Sequence, residues 1–315
     1  MELLKSLYKI DSKSGQEQEM YDFISSYVSK NFPEAIIEND AKGNLYVTKG
    51  AGPLYKGVVS HIDEVHSPVK EKLIMETPKI IFGWNDTSQQ GIGADDKNGI
   101  WICFQALHNF DNIKCAFFVE EETGCQGSSK CDLSFFDDCM YVLQCDRKGN
   151  SDFIWKASGT ELCSEEFISD IDIKEFGYSK AEGMLTDVKT LKTQGLKVCC
   201  CNISCGYYNP HKNTEYTVKE DLEKCWKLVK HILTDLNKTY LHEYKPYTPV
   251  VTAPIYSSVK TDHKKVLDDL AFDIIEYVAN TEIPLKYDFW FMYSSNYLTV
   301  EYFEFAQLWN ELVYG

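Results

Sequence analysis

Residues 113–124 read IKCAFFVEEETG, a mostly apolar run that stops abruptly at Glu120-Glu121-Glu122. A short apolar run without polar alternation suits a strand covered on both faces, as in a parallel sheet. Three glutamates directly after it crowd negative charge at one edge of that sheet. Similar runs at 57–60, 141–145 and 198–203 are each followed by residues able to do chemistry. The first leads to His61-Ile62-Asp63, the second to Asp146, and the third, after a few residues, to Asn209-Pro210-His211. Helical spacing of apolar residues at about 96–109, 160–170 and 179–194 fills the intervals. Strands and helices in alternation predict an α/β fold with a mixed, mostly parallel central sheet and helices on both faces.

Outward from this centre, Met20, Phe23, Ile24, Tyr27 and Val28 recur at helical spacing, and residues 35–47 form two strand-like pieces around the Asp40/Gly43/Asn44 turn. The helix at about 219–236 carries Leu222, Cys225, Trp226, Val229, Ile232, Leu233 and Leu236 on one stripe and should close the main domain. Pro246, Pro249 and Pro254 punctuate a linker, and Val266, Leu267, Leu270, Ala271, Ile274, Ile275 and Val278 define another amphipathic helix. The expected division is a domain at 1–245 and a small, aromatic-rich C-terminal extension at 246–315, packed on it.

A chain of 315 residues with 44% hydrophobic side chains can bury a continuous core. It holds no apolar stretch long enough to span a membrane, and its opening residues do not read as a signal peptide, so a soluble, cytoplasmic protein is expected. The formal charge of −16 argues against nucleic acid and anionic membrane as partners. The twelve cysteines are scattered, many of them within apolar runs, and read as reduced core residues. Arg147 is the only arginine.

A further acidic pair, Asp95-Asp96, sits between the Gly91-Ile92-Gly93 turn and a helix start. Ligands of open α/β sheets bind beyond the carboxyl ends of strands, where these residues fall. Each alone has an ordinary explanation, since an Asp before a helix is usually an N-cap and a Glu run a solvated strand end. Together, two histidines and several carboxylates form an N/O donor set that suits Zn²⁺, with Co²⁺ or Mn²⁺ as alternatives.

In motif order, residues 1–240 resemble the co-catalytic dinuclear zinc exopeptidases, the group of peptidase T, the glutamate-releasing carboxypeptidases, and the tetrahedral and glutamyl aminopeptidases. The resemblance lies in Ser14-Gly15-Gln16-Glu17, Asp40-x-x-Gly43-Asn44, His61-x-Asp63, Gly93-Ala94-Asp95-Asp96-Lys97-x-Gly99, Glu121-Glu122-x-Gly124, Asp146 and His211-x-x-x-Glu215. It implies a phosphorylase/hydrolase-like fold and two Zn²⁺ ions bridged by Asp95. His61 and Asp146 would complete one metal site, and Glu122 and His211 the other. Glu121 would be the general base, with Asp63 orienting His61 from behind. Asp96 and Lys97 would shape the helix start, and Glu120 would be a solvated carboxylate.

The chain departs from that group in two places. Only 64 residues separate Asp146 from His211, leaving no room for the lid of peptidase T, and only 31 separate Asp63 from Asp95, where the tetrahedral enzymes insert a domain. Without the lid histidine, Tyr207 and Tyr208 become candidate oxyanion donors. The resemblance and the scarcity of arginine favour an aminopeptidase acting on short peptides. The alternatives are an N-acyl amino acid deacylase using the same site and a catalytically silent binding protein on the same scaffold.

Overall fold

The computed structural model describes residues 1–244 and, beyond them, helical positions 267, 270, 271, 274, 305, 308 and 309. The chain divides into two compact units, Met1–Tyr247 and Thr248–Gly315. In the second, Leu267, Leu270, Ala271 and Ile274 are helical, with Leu270 and Ile274 buried, and the buried rings of Phe305 and Trp309 lie 5.9 Å apart. The linker prolines and the remainder of the aromatic extension lie outside the described residues.

The first unit is built on a nine-stranded sheet. Its centre is four mutually parallel strands in the spatial order Ile113–Phe118, Tyr55–His61, Cys139–Arg147 and Cys200–Ser204. Antiparallel strands flank them, Leu45–Lys49 with Ile36–Asn39 on one side and Asp152–Ala157 on the other. The mixed, mostly parallel sheet is therefore the one expected. Its two faces feed two cores. Val58, Cys115, Phe117, Leu143, Cys199 and Cys201 pack with the helices Glu2–Lys9, Gln18–Asn31, Ala94–Asn109 and Lys219–Asp235. Val59, Ala116, Phe118, Val142 and Cys200 pack with Val188 and Leu191 of the helix Asp187–Gln194. The strand period of two divides each apolar run between these layers. All twelve cysteines are free, and only Cys131 is less than fully buried.

Residues 179–194 correct one expectation. In place of a continuous helical pattern, Ser179–Gly183 is a strand pairing parallel to Asp152–Ala157, and only Asp187–Gln194 is helix. The helix starts where Thr186 breaks to extended backbone, and it stops at Gly195, whose φ of +114° is glycine's territory. A second, five-stranded sheet contains Leu73–Glu76, Ile80–Trp84 and Gln89–Gln90 together with Tyr207–Tyr208 and Tyr216–Val218. The short interval between Asp63 and Asp95 thus meets the segment around His211 in one sheet.

Candidate metal centre

Parallel strands end together, so His61, at the last position of Tyr55–His61, lies beside the Glu120-Glu121-Glu122 turn after Ile113–Phe118 and near Asp146 in Cys139–Arg147. His61 Nε2 is 3.2 Å from Asp95 Oδ1 and 3.6 Å from Asp146 Oδ1. His211 Nε2 is 3.3 Å from the other oxygen of Asp95 and 3.0 Å from Glu122 Oε2. The five predicted side chains therefore form two triads with Asp95 in both, His61/Asp95/Asp146 and Asp95/Glu122/His211.

The electrostatics are those of acids crowded out of water. Burial, then the charge of Asp95, pushes the Asp146 carboxyl well above its usual range, and burial also raises Glu122. Burial would raise Asp95 too, but hydrogen bonds from His211 and His61 outweigh it and hold that carboxyl far down. Against the desolvation of its ring, His61 is raised well above 6.5 by hydrogen bonds to Asp146, Asp63 and Asp95. Hydrogen bonds to Asp95 and Glu122 push His211 up to about 10. Glu122 Oε1 is buried with no hydrogen-bond partner. A divalent pair fits this donor set: it would replace the imidazole protons, neutralise the acids and take up the orphaned oxygen.

Behind the centre, Asp63 is the organiser. Its Oδ1 accepts from the Glu121 N–H at 2.8 Å, and its Oδ2 accepts from the Glu122 N–H at 3.1 Å and the Ser14 hydroxyl at 2.6 Å. His61 Nδ1 lies 3.1 Å from the Asp63 carbonyl and 3.3 Å from Oδ1, so an Nδ1–H there leaves Nε2 free to face Asp95. Glu120, Cys125 and His211 have φ of +52°, +52° and +62°. For residues with a Cβ, that conformation costs about 1 kcal/mol each, so the surrounding contacts must hold these turns in place.

The carboxyl of Glu121 is pushed well above its ordinary value by burial and by the charges of Asp187, Asp146 and Glu122. Cys125 Sγ donates to its Oε1 at 3.2 Å. Asp96 and Lys97 are both buried. Asp96 accepts from Ser60 Oγ at 2.6 Å and from the Gly99 N–H at 3.0 Å, while Lys97 Nζ pairs with Glu64 at 3.0 Å. Glycine suits position 93, where φ is +59° and a Cβ would lie 2.0 Å from Glu64 Oε2 and displace that carboxylate. Glu120 pairs with Lys42 at 2.6 Å. Of the two tyrosines, only Tyr207 faces the centre, its hydroxyl 3.5 Å from Asp146 Oδ1, whereas Tyr208 donates to Asp221 at 2.6 Å. Arg147 is turned to Asp152, Nε to Oδ2 3.2 Å.

Several supporting residues carry no role in the sequence reading. Glu215, fully buried, accepts from the Asp95 N–H at 3.2 Å and the Ile92 N–H at 3.0 Å, and its Oε2 lies 3.2 Å from His66 Nε2. Gln144 spans Asp146 Oδ2 at 3.3 Å and Asp187 Oδ2 at 3.1 Å. Asn202 accepts from the Asp146 N–H at 2.9 Å. Gln144 and Asn202 occupy polar positions inside apolar strands, and that is the signal a sequence offers for them. A cleft of about 580 Å³, lined by Lys148, Asn150, Asp152, Tyr208, Asn209 and Lys212 among others, is formed by residues flanking Asp146 and His211 in the chain.

No protein-family model matches the chain, and no curated protein matches it in sequence. Solved structures do match. An aminopeptidase PepT from Bacillus cereus ATCC 10987 superposes with a TM-score of 0.59 at 15% identity, over 74% of this chain and 96% of that one. The TET1 peptidase of Pyrococcus horikoshii, described as assembling into a tetrahedron or a large octahedral shell, gives 0.59 at 16% identity, over 75% and 99%. A tripeptidase from Staphylococcus aureus gives 0.56 at 14% identity, over 73% and 95%. At such identities the likeness is one of architecture, and the chain has the fold of these peptidases.

Proposed function

We propose that the protein is a dinuclear zinc aminopeptidase hydrolysing the N-terminal peptide bond of short peptides, with residues 1–245 as its catalytic domain. The observation that carries the reading is Asp95 approached from opposite oxygens by His61 and His211 at 3.2 and 3.3 Å. His61, Asp95 and Asp146 would hold one ion, and Asp95, Glu122 and His211 the other. The N/O donors suit Zn²⁺, and Co²⁺ or Mn²⁺ could serve in its place. When bound, such a pair acidifies a water and polarises the scissile carbonyl. Glu121 takes the proton of the attacking water and delivers it to the leaving amine. Asp63 keeps Glu121 and Glu122 in register through their backbone N–H groups. The acidic surroundings favour a substrate that brings an amine, and the fold shared with aminopeptidases supports the same choice.

A deacylase acting on N-acyl amino acids would need to grip a free carboxylate, and the guanidinium of Arg147 is already engaged by Asp152. A silent binding protein would have no need of five converging ligands together with a base. The deciding experiment combines metal analysis with a panel of aminoacyl and N-acetyl substrates. About two zinc per chain with aminoacyl turnover supports the proposal; N-acetyl turnover alone selects the deacylase, and a protein with no metal and no turnover selects the binding protein.

A further inference from the structure

A third cluster lies one residue away from the proposed metal ligands. Glu121, Cys125 and Asp187 each present a ligand atom within 4.8 Å of the others. Two come from the turn after Ile113–Phe118, Glu121 and the left-handed Cys125 four positions on, and the third is the first residue of the helix Asp187–Gln194. Asp187 is fully buried; its Oδ2 accepts from Gln144 at 3.1 Å, and the Ser128 side chain lies close enough to ease its charge. Its Oδ1 has no hydrogen-bond partner. The nearby imidazoles are paired with Asp63, Asp95, Asp146 and Glu122, so the charge of His61 reaches Glu121 and Asp187 only from a distance, and among the described residues no cation is paired directly with either carboxylate. Buried acids in that condition are ordinarily paired or bound to a metal.

We propose that Glu121, Cys125 and Asp187 form a third, inhibitory cation site selective for thiophilic divalent metals such as Zn²⁺ and Co²⁺. One thiolate, two carboxylates and a water make an acceptable tetrahedral set. Ligand atoms around such an ion stand about 3–4 Å apart, so the cluster closes with a shift of about 1 Å. The Glu121 side chain, the least buried of the three, can supply that shift. On binding, the Cys125 Sγ–H bond breaks, the proton passes to buffer, and the sulfur electron pair forms the bond to the metal, which stays divalent. Inhibition follows because the Glu121 carboxylate is then a ligand and can no longer accept a proton, a consequence that rests on Glu121 being the base proposed above.

The test is a Co²⁺ titration of metal-free protein followed by absorption. Beyond two equivalents a further ion binds and a thiolate-to-cobalt charge-transfer band appears in the near ultraviolet. Cys125→Ser abolishes that band while keeping the first two ions, and Asp187→Asn weakens the third ion at least tenfold. In parallel, excess zinc lowers peptidase turnover about tenfold in the wild type but less than twofold in Cys125→Ser, each relative to its own rate at two equivalents. Absence of the band at any loading, or its persistence in Cys125→Ser, overturns the site. A band in a protein without peptidase activity upholds the site and counts against the aminopeptidase reading alone.

Discussion

Asp63→Asn isolates the support behind the metal centre from the ligands themselves. The amide has the shape of the carboxylate but can present only one acceptor oxygen. If its nitrogen takes the place of Oδ1, it meets the Glu121 N–H and His61 Nδ1; in the place of Oδ2, it meets the Glu122 N–H and the Ser14 hydroxyl. Ser14 can rotate to accept, so the second orientation is the better one, and it still leaves one buried backbone donor unanswered. An orphaned donor costs about 1–3 kcal/mol, and exchanging charge-assisted for neutral bonds at the remaining contacts adds to it. The expected loss is about 2–3 kcal/mol of stability in the metal-free protein and about 10–100-fold in zinc affinity, as the strand end carrying Glu122 loosens. Burial would raise the Asp63 carboxyl, but hydrogen bonds from His61, Ser14 and the Glu121 N–H lower it on balance. Its contribution is therefore full above about pH 4, where the unfolded carboxylate is ionised, and is lost as pH falls through the depressed native value. Urea unfolding of both proteins across pH 2–7, with zinc competition against a chromophoric chelator, measures the two quantities. Unchanged zinc affinity in a folded Asp63→Asn protein, or a stability gap that persists at the acid end, would refute the reasoning.

Glu121→Gln should reduce kcat by about 10²–10⁴ or more while two metals remain bound at stoichiometric zinc, and near-wild-type turnover on any substrate removes Glu121 as base. Because His61 and His211 are both raised, the second to about 10, and the Asp146 carboxyl is raised as well, zinc binding near pH 7 should expel at least about two protons per chain. Calorimetry in buffers of different ionisation enthalpy reads that number, and release of none would contradict the protonated pairs. The same sign makes their stabilisation of the metal-free protein full below about pH 6.5 and lost as pH rises through about 10 for His211. Glu215→Gln should weaken metal binding about tenfold by releasing the Asp95 and Ile92 N–H groups, with little change in far-ultraviolet circular dichroism.

How far the sequence shows this arrangement depends on whether the information is local. A parallel strand buried on both faces needs an unbroken apolar run, and the place where polar residues resume is its carboxyl end, so residues 113–124 announce both the sheet and the Glu121-Glu122 edge. His61 and Asp146 follow from the same rule. The strand Ser179–Gly183 does not. Its Ser-Lys-Ala-Glu-Gly sequence contains good helix formers, and only pairing with Asp152–Ala157 makes it extended, a tertiary override that no window of sequence contains. The strands at 73–90 are two to five residues long, too short to display a period.

The polar scaffold behind the ligands falls between these cases. Glu215 lies four residues after His211 in a motif, yet its work is done on Asp95 and Ile92, more than a hundred residues away in the chain. Asp187 reads as an ordinary acidic residue at a helix start, and only the folded chain brings it to Cys125 and Glu121. Ligands sit at strand ends and inherit a one-dimensional signal from the strand. Their supports come from whichever element happens to pack behind, so buried polar residues such as Gln144 and Asn202, inside runs that should be apolar, are the trace such a network leaves in sequence. Every polar residue interrupting a two-faced buried strand should therefore be read as pointing to a partner, and here both point to Asp146.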